Sequence, residues 1–461
     1  MCQNCLEHTN SGSHDSQDFP LRQAKSPKDY LNLAIQTADY IDQFKVETED
    51  SIWWRNTNNE AQSSIPDFSN PNFFSGSAGI LYFYDKLYQV THDKDYLPII
   101  TKASHYLTEH WQILTKLDIF DIKGSGKGLY GGIGGIGLIL LEIAENYNNE
   151  EALKSAQEIA HYYLETAKPS DEGIYWTGDS PLFHDSGILL FLIKAYQHFP
   201  SSRLLETIKS GVRYLIATGH RHIDNGLEIN TVSDSDKRDL PNWEFGSAGA
   251  GYLFGKTYEL THDQYFLQAA KDAATFLVNL AVPQEQGYLI PYRTNGPQRQ
   301  IFYLGNCHGA IGTSRFFYYL YQLTKDNYYL EQVEALTAGL LSRGAPEQQS
   351  NGYWNTTTFC CGAAGFIHHF LGLYVDKKET LYLDLARRSA AVVLGNASKS
   401  ENGVRFSIAF NRISPDELSA FTGFYDGAAG IATALLELYQ FESQQRLKWK
   451  RLIDDPFAAR I

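Results

Sequence analysis

Apolar positions along this chain recur at three- and four-residue spacing, in two alternating styles of segment. KDYLNLAIQTADYIDQF (28–44) reads as an amphipathic helix with a single apolar face. After a polar stretch comes FFSGSAGILYFYDKLY from Phe73, which opens on Gly76-x-x-Gly79 and continues as a far more apolar helix. The alternation then repeats. Polar-faced helices are predicted at about 92–112, 149–167, 202–217, 263–280, 326–343 and 377–396, each followed by a small-residue turn and an apolar helix.

The turns read GSAGI, GGIGGI, HDSGI, GSAGA, GAIGT, GAAGF and GAAGI, with the second glycine at Gly79, Gly135, Gly187, Gly249, Gly312, Gly365 and Gly430. Intervals of 56, 52, 62, 63, 53 and 65 residues mark one supersecondary unit copied seven times. Only the third copy lacks the first glycine, and His184 stands there. Seven helix pairs can stack as an open solenoid or close on themselves. Neither end carries a polar capping repeat, so the prediction is all-α: an α/α toroid of seven inner and seven outer helices. The toroid domain is placed at 28–461, after an N-terminal tail, 1–27, expected to be disordered. Each outer helix is expected to partner the inner helix that follows it.

In such a ring the glycines serve close approach where inner helices converge, and the residues just before them face the mouth. Directly before the turns stand Ser75, Gly131, Phe183, Phe245, His308, Cys361 and Asp426. One place earlier are Phe74, Tyr130, Leu182, Glu244, Cys307, Cys360 and Tyr425. Copies five and six are neighbours, so LGNCHGAIG and TFCCGAAG bring three thiols and an imidazole together. A lone buried cysteine is usually a small inert hydrophobe. Three on adjacent equivalent loops suggest a thiolate-rich metal site, with zinc the favoured ion. Three protein thiolates leave a fourth position for water, a substrate thiol or His308, which is either a ligand or a proton carrier.

Other mouth candidates are acids and bases on neighbouring loops: Asp179, His184 and Asp185 in copy three, Glu244 in copy four and Asp426 in copy seven. Trp53, Trp54, Trp176, Trp243 and Trp354 precede turns and are candidates to wall the mouth. His220 and His222 read as surface connection residues, and His368 and His369 as packing on an inner helix.

Composition narrows the partners. A formal charge of −14 with no long basic run argues against nucleic acid or an anionic membrane, and a cationic peptide is compatible with it. No apolar run is long enough for a transmembrane helix, and MCQNCLEHTNSGSHDSQDF lacks the start of a secretory signal. Five cysteines in 461 residues make no disulfide framework, which fits a reducing, cytoplasmic setting. Cys2-x-x-Cys5 with His8 has metal-ligand spacing, but lies in a polar tail.

From about residue 28 onward, through all seven turns, the chain resembles the lanthionine synthetase C-like proteins. The resemblance implies an α/α toroid and a zinc held by a cysteine of the fifth copy and a Cys-His pair of the sixth. Here the matching residues are Cys307, Cys360 and Cys361, the histidine being replaced by cysteine as in a three-cysteine subset of the family. It further implies addition of a peptide cysteine thiolate to dehydroalanine or dehydrobutyrine, forming a lanthionine-type thioether. The partners implied are a dehydrated precursor peptide, a separate dehydratase and an exporter. The family's fourth-copy histidine corresponds to Phe245, and its third-copy aspartate to Asp179, one residue out of register. Zinc ligands are thus kept while the acid/base part is changed, and His308, His184 or Glu244 is expected to take over. A non-catalytic peptide-binding or scaffold protein of the same fold is the second reading, favoured by Phe245. A third, an α/α-barrel carbohydrate enzyme, would need paired carboxylates at the mouth, for which Glu244, Asp179 and Asp426 are the candidates.

Overall fold

The computed structural model describes residues 18–55, 70–118, 123–229, 231–233, 236–238, 240–348, 356–409, 418–445 and 452–457. Cys2, Cys5, His8 and Trp354 fall outside them. The inner helices are α2 (Ser77–Thr91), α4 (Ile133–Tyr147), α6 (Asp185–His198), α8 (Ser247–Thr261), α10 (Ala310–Thr324), α12 (Ala363–Lys377) and α14 (Ala428–Glu442). Around them lie α1 (Pro27–Asp42), α3 (Tyr96–His110), α5 (Glu150–Thr166), α7 (Ser202–Thr218), α9 (Gln264–Leu280), α11 (Asn327–Leu341) and α13 (Thr380–Gly395). Inner helices are buried nearly all round, whereas outer helices expose one face, as their sequences require.

Each inner helix packs on the next, and α14 packs back on α2, so the toroid closes. The pairing differs from expectation. Each outer helix packs on the inner helix before it, α3 on α2 through α13 on α12, and α1 covers α14. Loop length explains this. Inner-to-outer links are short, as with residues 148–149 between α4 and α5, and short links make antiparallel neighbours. The N-terminal helix is left over and seals the seam beside the last inner one.

Outer-to-inner links are long and mostly begin with a small antiparallel hairpin, such as 168–170 with 173–175 or 397–400 with 403–406. These hairpins are too short to display a two-residue period in sequence. Trp53 and Trp54 belong to one of them, stacked on Tyr106 and Tyr84 between outer and inner helices rather than lining the mouth. Residues 18–26, placed in the tail by sequence, run along the body: Phe19 N–H donates to the Glu347 carbonyl and Arg22 N–H to that of Ala391.

At the mouth the seven loops are tied in a circle of main-chain hydrogen bonds. Phe74 N–H donates to Tyr130 O, Leu129 to Leu182, Leu182 to Glu244, Glu244 to Cys307, Cys307 to Cys360, Cys360 to Tyr425, and Tyr425 back to Phe74, at 2.9–3.2 Å. The residues two places before each small turn, with Leu129 donating beside Tyr130 in copy two, therefore form one belt. This belt leaves no space at the second glycine of each turn. A Cβ at Gly312 would strike the Asn306 carbonyl and come within 2.6 Å of the Trp243 Cβ from the preceding copy. Gly312→Ala is expected to cost about 3 kcal/mol, read as a lowered denaturation midpoint.

α14 leads away from the mouth, yet residues 452–457 lie back inside the ring. Tyr252 of α8 donates to the Ile453 carbonyl, and Phe457 sits where a Cβ on Gly372 of α12 would clash. His368 of α12 joins this segment to α14, with Nδ1 at 2.8 Å from Glu437 and Nε2 at 3.1 Å from Asp455. Asp454 and Arg315 share the same small cavity. Burial opposes the His368 charge, but Glu437 and Asp455 outweigh it and raise its pKa to about 9. Its stabilising charge is fully present below the unfolded value of about 6.5 and is lost as pH rises through about 9. Folding stability should fall by about 3 kcal/mol across that window. His368→Gln should flatten the fall in urea titrations at several pH values.

Candidate metal centre

Cys307 and Cys360 are adjacent members of the belt, so closing the ring brings their side chains together, and Cys361 follows on the same loop. The Sγ atoms of Cys307 and Cys361 lie 3.2 Å apart, and those of Cys361 and Cys360 3.4 Å. All three are buried free thiols. The separations exceed a disulfide's roughly 2.05 Å and approach the roughly 3.8 Å between sulfurs on a tetrahedral zinc. Three sulfurs converging without a disulfide fit a thiophilic divalent ion.

The same cluster is charged and polar on one side. Single donor atoms of Glu244, Cys307 and His308 all lie within 4.8 Å of one another, and all three side chains are buried. Cys360 donates to Glu244 Oε1 at 3.5 Å. Burial would raise the Cys307 thiol, but the Cys360 and Cys361 thiols and His308 outweigh it and hold it well below the ordinary range. Burial, then the hydrogen bond to Cys307, raise Cys360 and Cys361 well above it. Burial and the adjacent negative Cys307 likewise push the Glu244 carboxyl well up.

His308 is boxed by rings. Phe245 stacks on it at 5.1 Å between centroids, and Tyr292 meets it edge-on at 5.2 Å. From Phe245 an aromatic wall continues round the mouth through Phe183 and Phe74 to Tyr425. The mouth therefore has a thiol–carboxylate half and an aromatic half.

Copy three contributes differently. His184 Nε2 meets the Lys123 carbonyl at 3.0 Å and Asp179 at 3.9 Å, a pair outside both metal-competent groups among the described residues. Asp185 is structural: its carboxylate accepts the N–H groups of Trp176, Thr177 and Gly178 and the Thr177 hydroxyl. Trp176 donates to the Tyr163 carbonyl. Asp426 is buried at the mouth in copy seven.

Further buried polar groups lie below the belt. Arg315 of α10 is 3% exposed; it donates to Asn306 Oδ1 at 2.7 Å and to the Asp454 carbonyl at 2.5 Å, with Trp243 stacked on it. The signal was present: an arginine within the apolar stretch SRFFYYL must find buried partners.

A family model described as "Lanthionine synthetase C-like protein" matches residues 67–453. The chain belongs to this family. Among solved structures, "Nisin cyclase" matches with TM-score 0.57 at 16% identity, covering 82% of this chain and 90% of that one. Cellobiose 2-epimerase from Bacillus thermoamylovorans B4167 matches at TM-score 0.44 and 14% identity, over 68% of this chain and 88% of that one. No helix among the described residues of this lanthionine synthetase C-like protein is long and apolar enough to cross a membrane.

Proposed function

We propose that this protein is a zinc-dependent cyclase that adds a peptide cysteine thiol to dehydroalanine or dehydrobutyrine, making a lanthionine-type thioether. The observation that carries this is the meeting of Cys307, Cys360 and Cys361 on adjacent mouth loops, beside Glu244 and His308. The three cysteines would hold zinc, and zinc bound there lowers the pKa of a thiol that reaches it.

The chain's own groups supply the rest. In the addition the thiol S–H bond breaks, a C–S bond forms at the alkene Cβ, and Cα takes up a proton. Glu244 and His308, whose polar atoms lie within 4.8 Å of each other, would handle that proton, Glu244 as the donor to Cα and His308 as the group that exchanges protons with it. In this reading the histidine role moves one copy round the ring, to His308, on which Phe245 stacks. Asp179 and His184, paired on the loop before α6, are reserve candidates for a substrate contact. The aromatic half of the mouth excludes water and packs against the alkene-bearing residue.

A dehydrated precursor peptide is the substrate, with a separate dehydratase and an exporter as partners in a cytoplasmic setting. Addition leaves the peptide mass unchanged but removes one free thiol, so alkylation followed by mass spectrometry measures it. Loss of alkylatable cysteine in a dehydrated peptide, dependent on this protein, supports cyclisation. Tight binding of that peptide without thiol loss supports the second reading, a peptide-binding scaffold, which Phe245 favours. Glu244, placed against the thiols, is not free to make the carboxylate pair of a glycosidase.

A further inference from the structure

We infer that the C-terminal segment 452–457 is a working part of the metal centre: threaded up the ring, it holds Arg315 so that Arg315 fixes the Asn306–Cys307 loop. Three observations meet here. First, the segment lies directly under the mouth belt: the Tyr130 hydroxyl donates to Asp454 Oδ2 at 2.9 Å and that of Tyr425 at 3.4 Å, and both tyrosines are belt residues. Second, Arg315 bridges the segment and the cysteine loop, joining the Asp454 carbonyl and carboxylate to the Asn306 side chain. Third, Asn306 precedes Cys307 and its N–H donates to the Cys360 carbonyl at 2.7 Å, so it joins the two cysteine loops through the main chain.

The chemistry explains why a tail is used. A guanidinium buried in a helical ring needs acceptors on several sides, and its own helix has none to spare. Asp454 supplies a carboxylate and a carbonyl from the axis, where the inner helices leave room. Trp243 covers the guanidinium face at 4.5 Å and donates its indole N–H to the Tyr130 hydroxyl at 3.0 Å. The result is one hydrogen-bonded unit running from the tail to Cys307.

Arg315 and Asp454 are positioning residues, and the inference rests on the metal-site reading given above. The test uses full-length Arg315→Lys and Asp454→Asn, with Ile159→Ala on α5 as a buried but remote control. Lysine keeps the charge but cannot reach Asn306 and Asp454 together. Zinc affinity is measured by chelator competition, and site geometry by the visible spectrum of the cobalt-substituted protein. Both variants should bind zinc about 10- to 100-fold more weakly, with a changed cobalt spectrum, while the control keeps parental values. In metal-free protein, alkylation of Cys307 should accelerate about tenfold in the variants only. Parental affinity, spectrum and Cys307 reactivity in both variants would overturn the inference. Failure of the parent itself to bind zinc or cobalt would sink the metal reading, and the alkylation rates would then decide the positioning role alone.

Discussion

Cys307→Ala is expected to lose zinc and thiol addition together. The substitution leaves Cys360 and Cys361, two sulfurs next to each other on one loop, with nothing from copy five to close the site. Structural and catalytic zinc centres alike depend on at least three protein ligands, so a two-thiol remnant should not retain the ion through chelator dialysis. The rate of thiol loss from a dehydrated peptide should fall about a thousandfold, the equivalent of several kcal/mol of lost charge stabilisation. Removing one small side chain from the mouth should leave the helical circular dichroism spectrum unchanged. Full activity in a metal-free Cys307→Ala protein would place the chemistry elsewhere.

Glu244→Gln should separate metal binding from proton transfer. Glutamine keeps the size of the side chain and an oxygen able to accept from the Cys360 thiol, but has no acidic proton to deliver. Zinc content should stay at the parental level while the addition rate falls about a hundredfold, within the usual range for a positioned acid. An unchanged rate in the zinc-loaded variant would shift the proton to His308 alone. Loss of zinc instead would make Glu244 a ligand, which its placement beside Cys307 and His308 would also permit.

Much of this architecture was legible because repetition amplifies weak signals. A single Gly-x-x-Gly says little, but seven at similar intervals fix the inner helices, and positions counted back from them name the belt residue by residue. Cys307, Cys360 and Glu244 were found that way, and they do meet. What stayed hidden has physical reasons. The helix pairing depends on loop lengths, which the repeat pattern does not weigh. The fate of His184 depends on where its ring turns, and it turns to the Lys123 carbonyl. The tail inside the ring could not be read from LIDDPF itself, because its partners Arg315 and His368 lie far away in sequence and join it only once the ring has closed.

On the function proposed, the three mouth thiols hold one metal ion. The most direct test is zinc per chain by elemental analysis of the purified protein, with thiol titration before and after a chelator. About one zinc per chain is expected, with the Cys307, Cys360 and Cys361 thiols unreactive until the metal is removed. Protein free of metal after purification in zinc, with those three thiols titrating at once, would contradict the account.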